Sequence, residues 1–93
     1  MTARVIRSRR AEAEIEEITA FLEEHSVPAM QRFLASLERA EQLLSEYPDI
    51  GAPGARPGTR RLIVGSYILS YRGRGQAIEI FAVRDARRRN ARF

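Results

Sequence analysis

Residues 60–84 read RRLIVGSYILSYRGRGQAIEIFAVR, and the fold turns on how this stretch divides. RRLIV, residues 60–64, runs into Gly65-Ser66, a two-residue signal for a β-hairpin. YILSY, residues 67–71, alternates, with Tyr67, Leu69 and Tyr71 on one face. GRG, residues 73–75, turns the chain again. QAIEIFAVR, residues 76–84, then reads as a third strand, with Ile78 and Ile80 on one face and Phe81 and Val83 on the other. Both faces of that strand are partly apolar. One can pack on the rest of the domain; the other needs a cover, which a partner can supply. Cut this way, the stretch is an antiparallel three-stranded meander.

Upstream, PDIGAPGARPG, residues 48–58, is a loop by composition. Before it lie two helical periods. Ala11, Ile15, Ile18 and Leu22 fall on one stripe, with Ser8 placed to cap and Glu12, Glu14 and Glu16 early, where the helix dipole favours acids. HSVP, residues 25–28, breaks this pattern with a turn of about four residues. Ser26 is a second cap and Pro28 suits a first turn. The second stripe is Met30, Phe33, Leu37, Ala40, Leu44 and Tyr47, widened by Leu34 and Leu43, and Pro48 stops it. ARVIRS, residues 3–8, reads as a short N-terminal strand. The order is β-α-α-β-β-β: an α+β domain with an N-terminal strand, an αα-hairpin and the meander.

The chain's 93 residues allow a single domain, 1–93, with one core. Absence of cysteine excludes disulfides and thiolate metal sites. No apolar run approaches the ~20 residues of a membrane span. MTARVIRSRR lacks the apolar segment of a signal peptide, so a cytoplasmic location is the expectation. Charge is unevenly placed. Residues 11–50 carry ten acids against Arg32 and Arg39, a balance of −8, and residues 51–93 carry ten arginines against Glu79 and Asp85, a balance of +8. All sixteen basic residues are arginine, whose planar fork pairs bidentately with carboxylate or phosphate; a codon bias would give the same pattern.

This order and several segments resemble the RelE/ParE family of bacterial toxins from type II toxin–antitoxin modules. The carrying residues are Ala11 and Ile15 to Phe21, PAMQRFLASLERAEQLLSEYPDIG from Pro28 to Gly51, RRLIVGSYILSY from Arg60 to Tyr71, and IEIFAVRDARR from Ile78 to Arg88. The segment from Arg32-Phe33 through Leu44, Pro48 and Gly51 is similar to the ParE branch in particular, as are Arg60 and Leu62 followed by Tyr67 and Tyr71. The resemblance implies one of two activities on one fold. RelE-like members cut messenger RNA on the ribosome; ParE-like members, plasmid-stabilising toxins among them, poison DNA gyrase. In both, an antitoxin covers the toxin's apolar grooves and basic surfaces.

An RNase of this kind orients a 2′-hydroxyl, stabilises the phosphate and protonates a leaving oxygen. RelE-type members place an arginine on the strand after the hairpin turn and a tyrosine near the C-terminus. Here the first position is Ile68, and the second falls near Arg92, with only Phe93 as an aromatic. Arg61, Arg84, Arg87 and Arg88 are what such an RNase would have around its phosphate. His25, the lone histidine, reads as a helix C-terminal residue, and Glu23 and Glu24 beside it do not make a metal site. Glu12, Glu16 and Glu23 read as a solvated helical face. GRG is a turn and no phosphate cradle, since no helix follows it. Tyr67 and Tyr71 suit core packing as well as a partner surface. Arg60 and Arg61 can pair with the protein's own acids or with a partner's.

An antitoxin that wraps the toxin uses both the uncovered apolar face and the basic half, and the resemblance to the ParE branch implies a gyrase-inhibiting toxin that acts by binding. It expects no catalytic residues, no metal and no cofactor. Its partners are a cognate antitoxin with an amphipathic, acidic segment, forming a hetero-oligomer, and gyrase. The contact residues for antitoxin or target are Arg60, Arg61, Tyr71, Arg84, Arg87, Arg88 and Arg89. The alternatives are the ribosome-dependent RNase and a relative without a target that only binds antitoxin.

Overall fold

A computed structural model describes residues 2–87. The elements are β1 (Arg4–Arg7), α1 (Arg9–His25), α2 (Val27–Glu46), β2 (Ala52–Pro53), β3 (Thr59–Val64), β4 (Tyr67–Arg74) and β5 (Ala77–Asp85). They build a five-stranded sheet in the order β1-β5-β4-β3-β2 with the helical hairpin on one face. The meander forms as the alternation requires. β1 runs parallel to β5, with Val5 beside Ile78, so the first strand of the described residues closes against the last.

Each helix starts on a serine. Ser8 Oγ accepts the Ala11 N–H at 3.1 Å and Ser26 Oγ accepts the Ala29 N–H at 3.2 Å. Ser26 also donates its own N–H to the Leu22 carbonyl, so it ends α1 as it begins α2. The turn is therefore a single residue, tighter than the four-residue HSVP turn expected. The tight turn lays the stripes side by side over the sheet. Ala11 and Ile15 of α1 and Phe33, Leu37, Ala40 and Leu44 of α2 meet Val64, Tyr67, Leu69, Tyr71, Ile78, Ile80 and Val83. The Phe33 and Tyr67 rings pack tilted, centroids 4.8 Å apart. Tyr47, expected on the stripe, is 58% exposed, because it is the C-cap of α2 and leaves helical geometry before Pro48.

Three expectations from the β half are corrected. The 48–58 loop contains β2, whose Ala52 and Pro53 pair with Arg61 and Arg60. Two residues, one of them proline, have no strand signature of their own; β3 imposes the conformation. The second turn falls at Gly75, φ +64°, while Gly73 and Arg74 still belong to β4. Finally, Phe81 and Val83 do not share a face. Ser70 pairs with Ala82 and Tyr71 with Ile80, leaving Phe81 as an extra residue in a β-bulge. The bulge shifts the alternation by one, and Val83 joins Ile78 and Ile80 in the core.

Candidate partner-binding surfaces

Arg60 and Arg61 are neighbours in sequence that β3 sends to opposite faces. Arg60 turns to the helix side, where Nη1 donates to the Gly51 carbonyl at 2.8 Å and Nε lies 3.7 Å from Asp49 Oδ1. Gly51 in turn donates its N–H to the Tyr71 hydroxyl at 2.8 Å. Only glycine fits there: a Cβ would stand 2.7 Å from both the Arg61 carbonyl oxygen and the Tyr71 hydroxyl. Tyr71 itself is 1% exposed, and burial raises its pKa against the opposing Gly51 hydrogen bond and Arg60 charge. Tyr71 is therefore corrected from contact residue to core residue: it pins the loop entering β2. Arg60 shares that work. Arg61 points outward and makes no ion pair among the described residues.

Arg84 and Arg87 stand at the far end of β5. β1 covers this strand only as far as Ile80, so its edge beyond is open. Glu14 of α1 closes it. Its Oε1 accepts the Val83 N–H at 2.9 Å, and Oε2 meets Arg84 Nε at 3.0 Å and Arg10 Nε at 3.3 Å. Arg87 folds back on Asp85, Nη2 to Oδ2 3.0 Å, a hydrogen bond that keeps its guanidinium more firmly protonated. A cleft of about 240 Å³ lies between these groups and Phe21 and Ile18 of α1. Arg88 and Arg89 lie outside the described residues. Of the arginines named for an RNase, Arg84 is paired with Glu14 and Arg87 with Asp85, both lining this cleft, and Arg61 is on the outer face.

Sequence reasoning passed over Glu14 as one early helix acid among several. The signal was its place: it falls three residues after Ala11 and four before Ile18, inside the apolar stripe. Glu41 has the same signature between Leu37 and Leu44. It clasps Arg7 bidentately at 2.6 and 2.9 Å, and that hydrogen bonding raises the Arg7 pKa despite the burial that lowers it. Glu12, Glu16 and Glu23 are exposed, as a solvated face should be. His25 Nδ1 lies 2.8 Å from the Phe21 carbonyl oxygen at the end of α1, a terminal role. Among the described residues no group of three His, Cys, Asp or Glu could hold a metal, and no helix is long and apolar enough to cross a membrane.

A larger groove, of about 560 Å³, runs between α2 and β3 past Leu43, Leu62, Ile63 and Val64. β2 pairs only with Arg60 and Arg61. The Thr59 carbonyl accepts the Gly54 N–H, so alternate residues of β3 turn their backbone groups towards β2. Those of Ile63 point past its end, and the Ile63 side chain is 63% exposed. An exposed strand edge beside an apolar groove offers an incoming segment both backbone hydrogen bonds and a hydrophobic seat.

The outer sheet face is polar at its centre. Glu79 is enclosed there, and Arg72 and Arg74 reach it at 3.0 and 2.8 Å. Burial works against its charged form, yet the two guanidiniums prevail and hold its pKa below the ordinary glutamate range. The Arg72 guanidinium also covers the Phe81 ring, 5.3 Å from its centroid. The cover that the sequence demanded for this face is thus partly internal.

Residues 5–90 match the family described as ParE toxin of type II toxin–antitoxin system, parDE. The candidate toxin Y4kP of Sinorhizobium fredii is 35% identical over 79 residues, 83% of this chain and 81% of that protein. A chain of the chromosomal ParDE system from P. aeruginosa superposes with a TM-score of 0.71 at 20% identity, over 90% of this chain and 96% of that one. A chain of the archaeal RelE–RelB complex from Pyrococcus horikoshii OT3 gives 0.58 at 16% identity, over 96% and 100%. At these identities the two structures speak for the fold alone.

Proposed function

The chain belongs to the ParE toxin family of type II toxin–antitoxin systems, and on that premise we propose that it acts by binding DNA gyrase and is neutralised by a cognate antitoxin. The observation that carries a binding role is the groove between α2 and β3 with the unpaired edge at Ile63. An antitoxin segment with one apolar face fits it, adding backbone hydrogen bonds along Ile63. Acidic side chains on that segment would answer Arg39 in the groove and the arginines after β5. Charge of this kind speeds encounter and weakens with salt, while the apolar contacts hold the complex. A binding role is also supported by Arg84 and Arg87, which are already engaged by carboxylates.

The test is a pair of assays on the purified toxin: supercoiling by gyrase, and cleavage of messenger RNA on translating ribosomes. The expected result is loss of supercoiling without cleavage. Codon-phased cuts, abolished when Arg84, Arg87 and Arg88 are all changed to glutamine, would overturn the gyrase reading in favour of the RNase. An oxyanion donor lost from such a site lowers the rate by about 10²–10³. Activity in neither assay, with antitoxin binding intact, would identify a relative without a target.

A further inference from the structure

The outer sheet face carries an ordered set of arginines that the antitoxin groove does not use. Pairing across the strands aligns them. Arg4, Ala77 and Arg74 form one row, Ile6, Glu79 and Arg72 the next, and Ala82, Ser70 and Arg61 the one after. Four arginines stand against the single carboxylate of Glu79, a formal +3. That carboxylate is also the deepest of the group: its side chain is 6% exposed, those of Arg72 and Arg74 50% and 66%. Solvent therefore meets guanidinium. Arg4 and Arg61 are exposed and have no ion pair among the described residues. Between the rows the Ser70 hydroxyl is enclosed and has no hydrogen-bond partner among the described residues.

We propose that this face binds the phosphate backbone of duplex DNA without regard to sequence. Three observations select that occupant. Within the arginine-bearing area no large apolar side chain is exposed; Ile63, at the β3 margin, is the outlier of the face. A protein partner wants an apolar centre, whereas nucleic-acid interfaces are polar and strongly basic. Single strands are held by rings on which bases stack, and here Phe81 lies half-buried under Arg72. The arginines also spread from β1 to β3, about 14 Å across three strand spacings, a breadth that suits the two backbones of a duplex. Their planar forks take phosphate oxygens in pairs. This inference does not depend on gyrase as the target, and naked DNA tests it.

The experiment measures binding of the isolated toxin to a labelled duplex of arbitrary sequence over a range of salt, with single-stranded DNA and RNA in parallel. Wild type should bind the duplex most tightly, with affinity falling steeply as salt rises. Arg4→Gln with Arg61→Gln should keep the wild-type melting temperature and reduce the slope of log K against log salt by about 2, about one per lost phosphate contact. Arg9→Gln with Arg32→Gln, equal in charge but on the helices that cover the opposite face, should leave the slope unchanged. Equal slopes for the two double variants would overturn the assignment to this face. Absent duplex binding at low salt, or tighter binding to either single strand, would overturn duplex DNA as its ligand.

Discussion

The two faces of the sheet are built on opposite terms. The inner face is continuous hydrocarbon: Leu69, Tyr71, Ile78, Ile80 and Val83 are buried against two helices. The outer face is dominated by arginine around one neutralised glutamate and an enclosed hydroxyl, with Ile6, Phe81 and Ile63 as its apolar members. Burial of apolar area stabilises the first by about 25 cal/mol per Å². On the second, charges in contact with water contribute little to stability. The difference separates two tasks: one face holds the fold, and the other is left to recognition.

Breaking the inner face should have the largest effect. Phe33→Ala removes a ring packed between α2 and Tyr67, and should cost about 3–5 kcal/mol by lost transfer and cavity. Total stabilities of about 5–15 kcal/mol make that a large fraction, visible as an early denaturant midpoint. An unchanged midpoint would mean that the helices do not depend on that ring.

Glu79→Ala tests the most structured point of the outer face. Its two partners are half exposed and can turn to water, so the loss should stay near the 1.5–3 kcal/mol typical of a charged hydrogen bond, an order-of-magnitude estimate of about 2 kcal/mol. The pH dependence has a definite sign. The folded pKa of Glu79 lies below its unfolded value, so its contribution is complete above about pH 4.3 and fades as pH falls through the folded pKa. Wild type and Glu79→Gln should therefore differ in chemical denaturation at neutral pH and converge in acid. A gap that persists in acid would assign the effect to packing.

Glu14→Ala should be milder, about 0.5–1.5 kcal/mol, since water can reach the freed Val83 N–H. Faster hydrogen exchange at Val83, with other core amides unchanged, is the readout; Glu14→Gln should restore part of the protection. Ser70→Ala should be smallest, within about 0.5 kcal/mol, because no hydrogen bond is lost. A large loss there would reveal a partner for the hydroxyl.

What could be read from the sequence divides along the same line. The inner face follows from periodicity, because burial selects residue type at fixed spacing; the stripes of α1 and α2 and the alternation of β4 are its direct record. The bulge at Phe81 escaped because the shift exists only relative to β4, and a single strand's letters hold no register. β2 escaped because β3 imposes it on loop-like residues. At the candidate site, side-chain type showed that arginines matter but not which carboxylates answer them. Arg60 and Arg61 look alike in the sequence, and only the pleat assigns one to the Gly51 loop and the other to the outer face. Tyr71 suited either the core or a partner surface, and the structure buries it with its hydroxyl against Gly51.

The pairing of β1 with β5 sets an order of events during synthesis. Arg4 waits for Ala77, and until the last strand is made β1 has no neighbour and β4 lacks one of its two. Pairings so distant in sequence come late in folding, after the local helical hairpin. A chain interrupted before residue 77 has its helices and part of the meander, but neither Ile78, Ile80 and Val83 in the core nor the row that joins Arg4 to Arg74. The incomplete polypeptide thus lacks the assembled recognition surface, and a harmful protein built this way acquires its surface only when its sheet closes.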